Sequence, residues 1–200
     1  MNQKKKLTID DVKKYIEQVS NYAKKVISKD NMEKIYYSFK GFKIFLDKKL
    51  YEDNFDYSKM PRFKRGDIIY VDLGQTIGSE LYKIRPVVVI ENDNKKSERT
   101  IIIAPIKTSN KKGLKTNVDG LVKIGDLSEL DDESYVDLKQ IRTISKMRIK
   151  RLEEIKYLRE QGYKGYKLTK LKNEQLDEID MQIIKIFLKK GKIPEVDIEE

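Results

Sequence analysis

Cysteine and histidine are both absent from this chain of 200 residues. Without cysteine there is no disulfide framework, no thiol nucleophile and no thiolate zinc site. Without histidine the commonest general acid–base and the commonest transition-metal ligand are missing as well. Catalysis, if present, must rest on carboxylates, hydroxyls, Lys, Arg or Tyr, or on an oxygen-bound ion such as magnesium. No stretch approaches the roughly 20 apolar residues of a membrane span. Lys4-Lys5-Lys6 is not followed by the apolar run of a signal peptide. The chain is expected to be cytoplasmic, with no membrane partner.

Apolar residues are sparse at 38%, but they cluster into runs, so a core can form beside a large exposed fraction. Lys and Arg number 43 against 33 Asp and Glu, a net charge of +10 that favours polyanionic partners, nucleic acid ahead of membrane surface. A Lys-rich chain with abundant Glu can also be merely well solvated, so charge alone assigns nothing.

The first 58 residues read as helix. Thr8 and Asp11 have the spacing of an N-terminal cap, and Ile9, Val12, Ile16, Val19, Ala23 and Val26 recur at three- and four-residue steps. Ser28-Lys29-Asp30-Asn31 interrupts the pattern. A second helix then carries Met32, Ile35, Phe39, Phe42, Leu46 and Leu50, with Gly41 a weak point. The expectation is a helical hairpin over 1–58. Ten of the 18 Tyr and Phe residues fall in the first 60 positions, and their helical spacing points to packing, in a core or onto another domain, before base stacking.

Residues 59–64 are expected to be a linker. From Arg65 the period turns strand-like. Strands are predicted at Asp67–Leu73, Pro86–Glu91, Thr100–Ile106, Asn117–Ile124, Ser134–Leu138 and Arg142–Ser145, with an acidic turn at Asp126–Glu133. Six short strands in about 80 residues, joined by polar turns, describe a small antiparallel barrel or a strongly bent sheet. Helix is predicted again over Arg148–Glu160. After a flexible Gln161–Tyr166, a longer amphipathic helix should start near Thr169 and end at Gly191, with Leu171, Leu176, Ile179, Ile183 and Phe187 facing the barrel. Residues 192–200 are left as a tail.

One position stands out chemically. Arg85 opens a strand, next to a loop holding Gly78-Ser79-Glu80, and sheet pairing could bring it near Lys107-Thr108-Ser109. The planar fork of an arginine can hold a phosphate bidentately and stabilise charge that develops on a transferring phosphoryl group. An ion pair with Glu80 is the plainer fate for the same side chain.

These residues also carry a resemblance. Arg65–Leu73, Gly78-Ser79-Glu80, Arg85-Pro86-Val87-Val88-Val89-Ile90, Ala104–Ser109 and Gln140-Ile141-Arg142-Thr143-Ile144-Ser145-Lys146 resemble, in order and at about the right spacing, the MazF/PemK toxin endoribonucleases. The resemblance runs over about 65–151 and more weakly through the last helix, so the toxin-like domain is taken as 65–191. It implies an α+β fold: a small antiparallel SH3-like β-barrel of the CcdB/MazF type, with C-terminal helices, here preceded by the N-terminal helical hairpin. It further implies the toxin of a type II toxin–antitoxin system, a sequence-specific endoribonuclease that cleaves single-stranded RNA such as mRNA without a metal or other cofactor. In that chemistry the 2′-hydroxyl attacks the phosphate and leaves a 2′,3′-cyclic phosphate and a 5′-hydroxyl. The implied partners are RNA, a cognate antitoxin, a second copy in a homodimer, and operator DNA for the toxin–antitoxin complex.

Carried over by position, the catalytic arginine falls on Arg85, assisted by a threonine at the end of the third strand. Family members place that threonine straight after the apolar pair; here Lys107 intervenes. Either Lys107 fills the place or Thr108 does after a one-residue shift, and Thr108 is favoured because Thr108-Ser109 preserves the pair. Ser79, Glu80, Tyr82, Lys83, Lys107, Ser109 and Gln140 are expected to line the substrate groove, Tyr82 stacking on a base and Lys83 meeting a phosphate. Gln140 could equally pack beneath the site. The loop Leu81-Tyr82-Lys83-Ile84 lacks glycines common in the family, and Ser145 replaces a usual Asp. The helical extension has no counterpart in typical members. Its 14 Lys against nine acidic residues over 1–60 argue against its mimicking RNA. The competing reading is a catalytically weakened RNA- or protein-binding module regulated by those helices. A magnesium site on Asp67 and Asp72 is disfavoured, because residues five apart on a strand point to opposite faces.

Overall fold

The computed structural model describes residues 7–108, 118–125 and 133–188. They divide into two compact units between Leu50 and Tyr51. The first holds α1 (Ile9–Val26) and α2 (Met32–Tyr51). Thr8 and Asp11 form a reciprocal capping box: the Asp11 N–H donates to the Thr8 hydroxyl at 3.1 Å, and the Thr8 N–H donates to the Asp11 carboxylate at 3.0 Å. Asn31 makes the break between the helices. Its amide nitrogen donates to the Val26 carbonyl at 2.9 Å, and its amide oxygen accepts the Ser28 N–H at 2.8 Å.

Neither helix buries a side chain. Tyr15, Tyr22, Tyr36 and Phe42 are each more than half exposed, which corrects the expectation of core packing within the chain. Two helices alone offer too little surface to enclose side chains of this size.

The second unit is a curled antiparallel sheet with helices. Its strands are β1 (Phe63–Lys64), β2 (Asp67–Asp72), β3 (Ile84–Val89), β4 (Asp93–Asn94), β5 (Thr100–Thr108), β6 (Leu121–Gly125), β7 (Ser134–Asp137), β8 (Arg142–Ser145), β9 (Ile149–Lys150) and β10 (Lys167–Lys170). Short α3 (Lys156–Glu160) precedes β10, and α4 (Asn173–Phe187) follows it. The main sheet runs β10-β2-β3-β5-β7-β6, with β8 also on β5 and β9 also on β2; β1 and β4 form a separate two-stranded ladder.

β5 organises the sheet. β7 pairs with its C-terminal end, Ile106 facing Val136, and β8 with its N-terminal end, Ile103 facing Arg142. A single turn of 3₁₀ helix, Leu138–Gln140, separates β7 from β8 and swells out of the sheet. β2 is buried along almost its whole length, because both faces of the sheet are covered. On one face Ile68, Tyr70, Val88, Ala104, Ile106 and Val136 pack with Leu158 and Ile179 from α3 and α4. On the other, Ile69, Val71, Val87, Val89, Ile101 and Ile103 pack with Met60 and Phe63. Residues 59–64, expected to be a linker, therefore supply two core side chains.

The predicted helix over 148–160 is not formed as such. Ile149 pairs with Val71 instead, a 3₁₀ turn covers Leu152–Glu154, and only Lys156–Glu160 is α-helical. The sheet edge claims Ile149 because burying it there outweighs a modest helical preference. β10 was likewise not foreseen, and it delays α4 to Asn173. Gly191, expected to end that helix, lies outside the described residues, as does most of the acidic turn at 126–132.

Candidate active site

β3 and β5 pair with Val87 across from Pro105, and their recorded ladder ends there. Pro86, whose backbone nitrogen faces β5, has no N–H to donate, so the hydrogen-bonded seam between the strands cannot continue regularly past this point. The seam opens where Arg85 stands. Alternation along a strand keeps residues 85, 87, 105 and 107 on one face and turns Thr108 to the other, beside Ile84. Alternation thus puts Lys107 on the face of Arg85, and Thr108, favoured from the sequence, on the other. Thr108 is exposed and faces Ser134 of β7.

Arg85 is half-buried, and its Nε donates to the Tyr82 carbonyl at 2.8 Å. Among the described residues its two terminal nitrogens have no partner, and no ion pair joins it to Glu80. The fork is held at its base and open at its tip, a geometry suited to a bidentate anion. Lys107 meets Asp137 at 2.5 Å, with the Lys107 side chain 27% exposed and that of Asp137 6%. Asp137 also accepts the Lys139 N–H at 3.2 Å as it caps the 3₁₀ turn.

The loop 73–83 closes one side of the site. Gln140 fastens it: its amide oxygen accepts the Leu81 N–H at 2.7 Å, and its amide nitrogen donates to the Ser79 carbonyl at 3.2 Å. Arg142 braces the same contact, donating to Gln140 at 3.0 Å and to the Leu81 carbonyl at 3.3 Å. Ser79, Glu80, Lys139, Gln140, Ile141 and Arg142 line an open cleft of about 580 Å³. The Leu73 N–H donates to the Lys83 carbonyl at 2.9 Å, joining the two ends of the loop. Lys83 has φ +68°, and it is the one non-glycine residue with positive φ among the described residues. Its ammonium sits 5.0 Å from the centroid of the exposed Tyr82 ring, so the two form one basic-aromatic corner.

Of the residues expected at the site, Ser79, Glu80 and Gln140 line the cleft, and Lys107 shares the face of Arg85. Tyr82 and Lys83 stand on the loop leading into Arg85, Thr108 points away, and Ser109 lies outside the described residues. Asp137 and Arg142 were missed. The signal for Asp137 was a lone carboxylate inside the apolar run Tyr135-Val136-Asp137-Leu138; for Arg142 it was a cation opening a strand, as Arg85 does. Asp67 is taken up elsewhere, pairing with Lys167 at 2.6 Å. No cluster of three acidic side chains able to hold a metal occurs among the described residues.

Residues 64–187 match the family of PemK-like, MazF-like toxins of type II toxin–antitoxin systems. The chain belongs to this family. The match covers the whole strand-rich region and α4, and leaves α1 and α2 outside the PemK/MazF part. Among relatives, the chain is 40% identical over 103 residues to Endoribonuclease MazF of Staphylococcus saprophyticus, covering 50% of this chain and 82% of that protein. Solved structures similar to it include an endoribonuclease in complex with its cognate antitoxin from a mycobacterial species, 16% identical with a TM-score of 0.40 over 64% of this chain and 92% of that one. Another is the Mycobacterium tuberculosis toxin MazF-mt6, also 16% identical with a TM-score of 0.40, over 60% and 93%. Among the described residues no helix of this PemK/MazF member is long and apolar enough to cross a membrane.

Proposed function

We propose that this chain is the toxin of a toxin–antitoxin pair and acts as a sequence-specific endoribonuclease on single-stranded RNA, with the charge of the reaction met by its own cations. The observation that carries this reading is Arg85, anchored through Nε and with both terminal nitrogens open among the described residues, on a face it shares with Lys107. In the reaction the ribose O2′ forms a bond to phosphorus while the bond from phosphorus to O5′ breaks. The 2′-hydroxyl proton leaves and the departing oxygen gains one, giving a 2′,3′-cyclic phosphate and a 5′-hydroxyl. The Arg85 fork supplies paired donors to the phosphoryl oxygens as their charge builds up. The Tyr82–Lys83 corner and the cleft at Ser79, Glu80 and Gln140 then offer a stacking surface, a cation and polar edges to neighbouring nucleotides. Family membership supports a cognate antitoxin as partner; a homodimer and operator binding by the toxin–antitoxin complex complete the reading.

The test is incubation of a long single-stranded RNA with the purified protein in EDTA, beside Arg85→Ala. Discrete fragments with 5′-hydroxyl ends, absent with Arg85→Ala, are expected. RNA that is bound but left intact under varied sequences would instead identify a binding module.

A further inference from the structure

On the sheet face that Arg85 occupies, the residue two beyond Pro105 on β5 is a lysine in this chain. Its ammonium is fixed by a buried carboxylate, Lys107 to Asp137 at 2.5 Å, and that carboxylate is itself oriented by the Lys139 N–H at 3.2 Å. Lys107 faces Tyr135 on β7, and Asp137 follows two residues later on the same face, so the pair bridges adjacent strands diagonally. An ammonium has three donors, and one carboxylate oxygen takes one of them. The other donors stay on the sheet face that residues 85, 87, 105 and 107 share, while the bridge leans the stem toward β7, the strand on the far side of β5 from β3.

We propose that Lys107 is a catalytic residue of this chain, a second cation on the scissile phosphate, and that Asp137 is its positioning residue. This rests on the endoribonuclease reading. Charge accumulates on the non-bridging oxygens as O2′ attacks and O5′ departs. Arg85 meets it from β3 and Lys107 from β5, with no proton transfer assigned to either. Thr108, on the opposite face, takes no part. The geometry also admits a lesser role in which Lys107 only cancels the charge of Asp137, which would otherwise repel RNA. The two roles separate in a double-mutant cycle.

Cleavage of one RNA is measured for the full chain and for Lys107→Ala, Lys107→Arg, Thr108→Ala, Asp137→Asn and Lys107→Ala/Asp137→Asn. Thermal unfolding of each checks that the fold is kept. Lys107→Ala is expected to lose about 100- to 1000-fold in kcat with KM little changed, the usual cost of removing one donor to a developing oxyanion. Lys107→Arg should stay within about tenfold of the parent, Thr108→Ala within about threefold, and Asp137→Asn should lose about tenfold in kcat. The double variant should remain as slow as Lys107→Ala. Recovery of the double variant to near parental activity would reduce Lys107 to a neutralising partner and overturn the proposal. So would an inactive Thr108→Ala beside a normal Lys107→Ala. In both cases an inactive Arg85→Ala would leave the nuclease itself standing. A parent chain that cuts no RNA overturns the nuclease reading, and this inference with it.

Discussion

Gln140 accepts the Leu81 N–H at 2.7 Å across 59 residues of sequence, and this contact ties the loop before Arg85 to the 3₁₀ turn between β7 and β8. The same side chain donates to Ser79 and receives a bond from Arg142. Gln140 is therefore a clasp as well as a wall of the cleft. Gln140→Ala removes three hydrogen bonds and should cost about 1–3 kcal/mol of stability, most of it local. Hydrogen exchange at the Leu81 amide is expected to speed up while the β2 amides stay protected. Unchanged protection at Leu81 would show that the loop holds itself in place.

Lys83 adopts φ +68°, a conformation that costs an L-residue roughly 1–2 kcal/mol. Lys83→Gly relieves that strain but adds freedom to the unfolded chain, so a net gain of about 0.5–1 kcal/mol is expected. Lys83→Ile, with a branched Cβ at the same angle, should lose about 1 kcal/mol or more. Equal midpoints for the two variants in urea would mean that the loop adjusts its backbone without cost.

Lys146 is fully buried, and its ammonium donates to the Lys95 carbonyl at 2.6 Å. Burial pushes its pKa below the ordinary lysine value, while the nearby Glu98 and Glu91 pull it back up. A lysine depressed in the folded state binds fewer protons there than when unfolded. Its contribution to stability therefore rises as pH climbs from the folded pKa toward the unfolded value of 10.5, and levels off above it. Unfolding free energies of the parent and of Lys146→Met, measured from pH 7 to 11, should differ with that sign. A difference that is flat or falls with pH would contradict the burial of this charge.

Phe55 stacks edge-on with Tyr57, ring centres 4.7 Å apart, and packs on the core face that also holds Met60 and Phe63. A chain beginning at Tyr51 should keep the unfolding midpoint of the barrel. A chain beginning at Arg65 loses Met60 and Phe63, each large-to-small change at such a site costing about 2–5 kcal/mol, and should not fold stably. Comparing RNA cleavage by the full chain and the Tyr51 chain then isolates the helices. Equal rates would show that residues 1–50 do not regulate cleavage.

Much of this architecture was legible from residue types alone. Short apolar runs bounded by polar residues marked β2 and β5, and the strand-like run Arg142–Ser145 marked β8 to the residue. The Thr8–Asp11 pair gave the start of α1, because a capping box is a local hydrogen-bond pattern that needs no distant partner. The ordered motifs from Arg65 to Lys146 gave the family, and with it the prominence of Arg85. The boundaries around 148–170 failed for the opposite reason. There, local helical spacing competed with vacant sheet edges on β2, and the sequence does not announce a vacant edge.

Which of Lys107 and Thr108 shares a face with Arg85 belonged wholly to the tertiary structure. Neighbouring residues on a strand point to opposite faces, so a one-residue slip in pairing exchanges them, and no local signal fixes that register. The pairing of Val87 with Pro105 fixed it. The Lys107–Asp137 bridge and the Gln140 clasp were equally out of reach, since each joins residues from 30 to 61 positions apart that only the curl of the sheet brings together. The chain by itself determined which residues could do chemistry; the pairing of two strands decided which of them share a face of the sheet with Arg85.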